Sequence, residues 1–221
     1  MAAAPSLEIP CRRKQPALPP VTPGVDSQKI VELLAPWNGR RLNVAGIART
    51  LGISRPTASA RIKRLEQEGL IRLLPFFGSG HKPLLRLVGW YDDRPESFRS
   101  FCTDAVVAGL RGIDPECRFY YWKTGRIRQI DLLAVIAQKR IGFCVSSARC
   151  SQNRHWWPLR LAWRRGIIDL GYLLNPGHWS RRIGREMYER PIGTFLSALV
   201  SAEKREPLWG AGRDPFVTIP S

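Results

Sequence analysis

The sequence predicts an α+β protein in two parts, a small helical domain with a two-stranded hairpin followed by a small α/β domain. Three observations predict this class. Apolar residues recur at helical spacing between residues 27 and 68, two short apolar segments follow them, and strand and helix patterns mix over residues 95–202. With 221 residues and 44% hydrophobic content, the chain is long enough to bury a core.

The first two helices are predicted mainly from their end residues. Asp26 is a good N-cap for a short helix over residues 27–35, and Pro36 stops that helix. The second helix is predicted over about 43–51, where apolar residues recur at helical spacing. Gly52 is expected to end it, because glycine adopts the left-handed conformation that closes helices.

The third helix and the hairpin complete a recognisable order of elements. Ser54 is predicted to cap a helix over residues 55–68, and Gly69 to close it. The apolar face of this helix comprises Ala58, Ile62 and Leu65. Two apolar segments, 70–75 and 84–88, then flank a loop, "FFGSGHKP", that is expected to be flexible and basic at its tip. This order predicts a winged helix-turn-helix over residues 26–90.

The second part is predicted to be a small α/β domain over residues 95–202. The expected elements, in chain order, are a helix over about 97–110, two strands joined by a turn at 123–126, a strand over 141–145, a helix around 158–165, a last strand near 171–174 and a helix in "ERPIGTFLSALVSA". Residues 1–25, rich in Ala and Pro, are predicted to be a disordered tail, and residues 203–221 an irregular one.

The charge of the chain favours a polyanionic partner. With 35 basic and 18 acidic residues, the net charge of +17 points to nucleic acid first and an anionic membrane second. In a winged helix-turn-helix the third helix enters the major groove of duplex DNA. Five side chains of that helix are the predicted contacts: Arg55, Thr57, Ser59, Arg61 and Lys63. His81 and Lys82, at the tip of the loop, are predicted to contact the DNA backbone or minor groove. The alternative is a structural or protein-docking module on a surface that is simply basic.

Several classes of function are disfavoured by what the sequence lacks. The five cysteines are odd in number and include no C-x-x-C pair, which argues against a zinc module and a disulfide framework and suits the cytoplasm. No apolar run is long enough for a transmembrane helix, and no phosphate-binding P-loop occurs. The three histidines are not spaced as metal ligands. We therefore expect no metal, no cofactor and no membrane partner.

A second basic segment lies late in the chain. Residues 149–190 carry nine arginines and three acidic residues, with tryptophans interleaved among them. Such a segment can neutralise phosphates and stack on bases. It can equally be a solvated basic face whose arginine stems cover apolar surface. The sequence leaves both interpretations open.

The order of these motifs resembles a known family. "LNVAGIARTLGISRPTASARIKRLEQEGLIRLLPFF" resembles the winged-helix segment of the prokaryotic predicted AAA+-type ATPases. "FYYWKTGRIRQIDLLAVI", "IGFCVSS", "GYLLNPG" and "RPIGTFLSALV" resemble successive parts of the C-terminal domain of unknown function in that family. The resemblance covers about residues 27–200. It implies a restriction-endonuclease-like fold for the second domain.

The resemblance also implies what remains of a nuclease site. Asp131 matches the aspartate that would bind a divalent metal ion, whereas Cys144 and Ser146 stand where the family has glutamate and lysine. Gln129 replaces a further glutamate, and the helix glutamate of such a site falls near Thr103, beside Asp104. Magnesium requires several oxygen ligands, and the missing lysine would orient the attacking water. We therefore expect Asp131 to be vestigial and the protein to be no enzyme.

The preferred functional prediction is a non-catalytic module that binds double-stranded DNA. The ATPase core of the family is expected to be absent, so the chain would be either a truncated gene product or a free-standing module. One alternative is a protein-interaction or regulatory half of a split ATPase, with an ATPase protein as its partner. A second alternative is a metal-dependent nuclease whose site has been relocated, with Asp104 as a substitute ligand.

Overall fold

The computed structural model describes residues 25–78, 80–89, 95–124, 128–148 and 152–202. The predicted irregular tail, 203–221, and the predicted disordered tail, apart from Val25, lie outside these residues. The α+β class is confirmed, with a winged helix-turn-helix followed by a sheet-rich domain. No helix within the described ranges is long and apolar enough to cross a membrane.

The winged helix-turn-helix consists of three α-helices and a two-stranded hairpin. Its elements are α1 (Val25–Leu34), a short 3-10 helix (Ala35–Trp37), α2 (Val44–Leu51), α3 (Arg55–Gln67), β1 (Ile71–Leu74) and β2 (Leu84–Leu87). The predicted cap of the first helix is wrong, because the helix begins at Val25 and Asp26 lies in its first turn. Buried aliphatic side chains from α1, α2, α3 and the hairpin form one core beneath α3.

The sheet-rich domain is built on six strands with helices on both faces. Its elements are α4 (Pro95–Ile113), β3 (Arg118–Thr124), β4 (Arg128–Ile136), β5 (Lys139–Val145), α5 (Asn153–Arg164), β6 (Leu170–Asn175), β7 (Arg181–Gly184), β8 (Met187–Pro191) and α6 (Ile192–Ala202). The strand order is β3-β4-β5-β6-β8-β7. Strands β5, β6 and β8 are parallel, and the pairs β3–β4, β4–β5 and β7–β8 are antiparallel.

Two apolar cores lie on opposite faces of this sheet. One core joins α4 and α6 to the sheet through aromatic side chains, among them Tyr172, Phe143 and Phe195. The other core joins α5 through Leu159 and Ala162, both fully buried. Burial on both faces fits the nearly continuous apolar sequences of β4, β5 and β6, as expected for central strands.

Two sequence predictions for this domain are corrected by the structure. The strand near Gly171 is not the last one, since β7 and β8 follow it. Helix α5 begins at Asn153 instead of near Pro158, which lies inside the helix. The loop between β4 and β5 is a tight turn in which Ala137 and Gln138 both have positive φ, 45° and 64°. Two successive residues of positive φ match the right-handed twist of a hairpin.

The wing of the first domain is joined to the edge of the sheet. The backbone N–H of Phe77 donates to the carbonyl of Tyr121, and the N–H of Tyr121 donates to the carbonyl of Pro75, at 2.8 and 2.9 Å. The hydroxyl of Tyr121 donates to the carbonyl of Lys82 at 2.7 Å. The loop was predicted to be flexible, but these contacts fix both of its sides against β3.

Candidate functional site

The start of helix α3 is fixed by a capping arrangement. Helix α2 ends at Gly52, whose φ of 64° is in the left-handed region. The hydroxyl of Ser54 then accepts from the backbone N–H of Thr57 at 3.3 Å and lies 2.7 Å from the Thr57 hydroxyl. Such a cap satisfies an N–H group that the first turn leaves unpaired. The predicted roles of Gly52 and Ser54 are confirmed, and the turn between the two helices has a defined geometry.

The five predicted contact residues of α3 are all exposed, but they do not form one row. Arg55, Ser59 and Lys63 are spaced four residues apart and follow one side of the helix, whereas Thr57 and Arg61 follow the other. The buried residues Ala58, Ile62 and Leu65 form the face between these two rows. The polar rows therefore flank the solvent-exposed face of α3, where both can meet a groove that the helix enters.

One cation of α3 was not among the predicted contacts. Arg64, three residues after Arg61, continues the row of Thr57 and Arg61, and its Nε atom donates to Glu68 at 2.8 Å. Its side chain is 72% exposed, so the pairing leaves it accessible to a ligand. The hydrogen bond from Arg64 is also the largest cause of a lowered pKa at Glu68.

The two predicted residues of the wing are exposed and lie close to the sheet domain. The ring of His81 makes an edge contact with Phe76, with 4.2 Å between ring centroids. Lys82 is fixed through its backbone carbonyl, which leaves its ammonium group at the surface. The wing therefore presents one cation and one imidazole from a segment that is held in place on two sides.

Asp131 lies in a second candidate site, a pocket of about 300 Å³ between the two domains. Its carboxylate is buried; one oxygen accepts from the backbone N–H of Val145 at 2.9 Å, and the other lies 3.6 Å from Nε of Arg99. Gln129 and Cys144 also line this pocket, as the resemblance implied. Ser146 lies beside it, with its hydroxyl 3.5 Å from Nδ1 of His155.

The residues around Asp131 do not fit a divalent metal ion. Burial, and then the charge of Asp131, raise the pKa of the Cys144 thiol well above its ordinary value, so this side chain stays a neutral thiol. Asp104 is directed elsewhere, since its carboxylate accepts from Arg72 at 3.1 Å. Thr103 is buried and donates its hydroxyl to the carbonyl of Arg99. Within the described part of the chain, no group of three or more His, Cys, Asp or Glu side chains could hold a metal.

Arg86 is one of the pocket residues that the sequence patterns failed to identify. It lies in β2 between two buried leucines and is itself only 5% exposed. Its Nη1 atom donates to the hydroxyl of Ser100 at 3.1 Å. Burial lowers the pKa of Arg86, and Asp131 and Asp104 act in the opposite direction, but a guanidinium remains charged at neutral pH. The signal in the sequence that could have identified this residue is an arginine within the otherwise apolar segment of β2.

The late basic segment is partly engaged within the protein. Arg160 lies over the rings of Trp156 and Trp157, at 5.5 and 5.8 Å from their centroids, and Arg181 donates to the buried Glu189 at 2.6 Å. Other arginines of the segment are exposed: Arg154, Arg164, Arg165, Arg182 and Arg185. Trp179 is 81% exposed. Part of the segment is therefore engaged in contacts within the protein, while these five arginines and Trp179 face the solvent.

Comparison with known proteins bears on the first of these sites. Residues 28–72 match the family model described as winged helix-turn-helix DNA-binding. The match runs from α1 into β1 and includes all of α3, so it supports a DNA-binding module. No curated protein and no solved structure matches the chain.

Proposed function

We propose that the chain binds duplex DNA through α3, with the wing as a second contact. The observation that carries this proposal is the surface of α3, where Arg55, Ser59 and Lys63 on one flank and Thr57 and Arg61 on the other are exposed. The buried face of the same helix is purely apolar. The match of this segment to a DNA-binding family supports the proposal.

The side chains divide between base contacts and backbone contacts. Arginine can pair with the O6 and N7 atoms of guanine in the major groove, so Arg55 and Arg61 are the candidates for reading bases. Lys63, Ser59 and the wing residue Lys82 suit phosphate oxygens, which position the protein without specifying sequence. The capped start of α3 presents Arg55 and Thr57 near the helix end that commonly reaches bases.

We further propose that the sheet-rich domain does not cleave the bound DNA. Its restriction-endonuclease-like origin, and the origin of the whole chain in the C-terminal region of an AAA+-type ATPase, rest on the resemblance of the sequence alone. The proposal of a non-catalytic domain is supported by the environment of Asp131, whose described pocket contains no second carboxylate. The neutral thiol of Cys144 supports it as well.

Charge reversal on α3 tests the proposal. The double variant Arg55→Glu and Arg61→Glu should lower the affinity for a labelled duplex at least about 30-fold in fluorescence anisotropy, since each loses a contact worth roughly 1–3 kcal/mol. The matched control is Arg118→Glu with Lys139→Glu, two exposed cations at the other end of the strand pair from Asp131. Equal losses in the two double variants would contradict binding through α3 and leave only a non-specific effect of net charge.

A further inference from the structure

The pocket between the two domains is strongly cationic. Its described lining contains four cationic side chains, Arg86, Arg99, Lys123 and Arg154, and one carboxylate, Asp131. The carboxylate is already engaged by Arg99 and by a backbone N–H group. His155, which also lines the pocket, has a lowered pKa because of burial and the nearby Arg154 and Arg99, so it is neutral at pH 7. The described lining therefore carries three positive charges in excess.

Arg86 makes this excess unusual, because it is buried and forms no direct ion pair in the described part of the chain, although the charges of Asp131 and Asp104 act on it. Its Nη1 atom contacts a neutral hydroxyl, that of Ser100, and its Nε atom is buried with no hydrogen-bond partner in the described part of the chain. A buried charge without a partner is costly, and such charges are normally paired or bind an ion. Because Arg86 lines the pocket, a negatively charged ligand bound there would offset its buried charge.

The hydroxyl of Ser100 is positioned to serve the same ligand. It receives hydrogen bonds from Nη1 of Arg86 at 3.1 Å and from Nδ2 of Asn38 at 3.3 Å. Because both of these contacts use its oxygen as an acceptor, its own proton remains available for donation. Ser100 and Asn38 both line the pocket, so the hydroxyl proton and the cationic side chains can contact the same ligand.

We propose that this pocket binds the phosphate group of a small phosphorylated molecule. Forked arginine donors and a hydroxyl are the groups that proteins use to bind phosphate oxygens. A pocket of about 300 Å³ lies at the lower end of the range for small-molecule sites. Asp131, in the lining of the pocket, repels a polyanion but can accept a hydrogen bond from a hydroxyl or amino group of a small ligand.

The site requires both domains, which sets it apart from the DNA surface on α3. Asn38, Gly39 and Arg86 come from the winged helix-turn-helix, and the remaining lining residues come from the sheet-rich domain. A ligand bound there contacts both domains at once. The proposal goes beyond DNA binding and does not depend on it, because none of the lining residues belongs to α3.

Calorimetric titration of the full chain with inorganic phosphate, at constant ionic strength and without DNA, tests the proposal. Saturable binding of one phosphate per chain is expected, with affinity lowered at least about tenfold in Lys123→Gln and in Arg99→Gln, since each loses a charged contact. Lys123 is half-buried and Arg99 is exposed, so their replacement tests the site even if Arg86→Gln does not fold. The matched control, Arg118→Gln, removes an exposed arginine outside the pocket and should bind phosphate as the original chain does.

Three results would overturn the proposal. The first is the absence of saturable phosphate binding. The second is a loss of phosphate affinity in Arg118→Gln equal to that in Lys123→Gln and Arg99→Gln. The third is a loss of duplex affinity in Lys123→Gln without any binding of inorganic phosphate. The last result would assign the pocket to a DNA phosphate. The charge-reversed α3 variant should retain phosphate binding, so failure of DNA binding and failure of the pocket are separate outcomes.

Discussion

Nη1 of Arg86 donates to the hydroxyl of Ser100 at 3.1 Å, and this hydrogen bond joins the second strand of the winged helix to the first helix of the sheet-rich domain. Both residues are buried, at 5% and 2% exposure. Asn38 adds a second donor to the same hydroxyl and accepts from the backbone N–H of Leu87. The junction between the domains is therefore a buried polar network, beside the apolar contacts that Leu74 and Leu84 make with the core of the sheet.

Removing the shared hydroxyl should weaken the whole chain. Ser100→Ala leaves Arg86 and Asn38 without their common acceptor, and we expect the free energy of unfolding to fall by about 1–3 kcal/mol. Urea denaturation followed by tryptophan fluorescence measures the change. Ser197→Ala, on the exposed side of α6, is the control and should stay within about 0.5 kcal/mol. An unchanged midpoint in Ser100→Ala would mean that this network does not stabilise the junction.

The cap of α3 gives a second prediction. Ser54→Ala removes the acceptor for the N–H of Thr57, so the chain should lose about 1 kcal/mol of stability. Ser54→Asp preserves a capping oxygen and should restore most of that loss, as judged by the same denaturation. If the aspartate variant is as unstable as the alanine variant, the hydroxyl of Ser54 has a role other than capping.

A third prediction concerns pH. Burial, and then the cations Arg154 and Arg99, lower the pKa of His155, while Glu189 acts weakly in the opposite direction. The unfolded chain therefore binds a proton near the ordinary histidine value of 6.5 that the folded chain does not bind. Stability should consequently decline as the pH falls from about 7 to about 5.

The variant His155→Gln isolates this contribution. It removes the titrating group, so its free energy of unfolding should depend less on pH over the same interval than that of the original chain. Urea denaturation at pH values across the interval measures both dependences. Parallel curves for the two proteins would show that His155 does not have a depressed pKa in the folded state.

The fourth prediction concerns the cysteines. Burial raises the pKa of Cys102 and of Cys117 to about 12 and that of Cys144 well above its ordinary value, so all three stay protonated near neutral pH. A chain carrying Cys11→Ser and Cys150→Ser should react slowly with a thiol reagent when folded, and should expose three thiols in urea. A thiol that reacts quickly in the folded chain, and is lost in Cys144→Ala, would contradict the neutral, buried state of Cys144.

Local signals predicted the winged helix well. The cap at Ser54, the left-handed glycines Gly52 and Gly69, and the apolar face of α3 each depend on a few neighbouring residues, and the structure confirms them. Strands β7 and β8 were not predicted, because their residues do not show the apolar pattern that is typical of strands. The β7 sequence Arg181–Gly184 has no apolar alternation, and β8 buries Glu189, a charge that a sequence pattern assigns to the surface.

The pocket could not be predicted, since its residues are far apart in the chain. Asn38, Arg86, Asp131 and Arg154 meet only after the wing has packed against β3 and α4 has covered the sheet. The start of α5 was misplaced for a different reason. The amphipathic pattern predicts a helix only around 158–165, and proline is disfavoured inside helices, but α5 accommodates Pro158 in its interior.

The most direct test of DNA binding is the salt dependence of affinity for a labelled duplex of about 30 base pairs, with magnesium present and strand integrity followed in the same samples. We predict an affinity that falls about 100-fold between roughly 50 and 200 mM salt, which corresponds to about four neutralised phosphates, and strands that remain intact. An affinity independent of salt, or no binding at the lowest salt, would contradict DNA binding by this chain. Magnesium-dependent cleavage that disappears in Asp131→Asn would contradict its non-catalytic character.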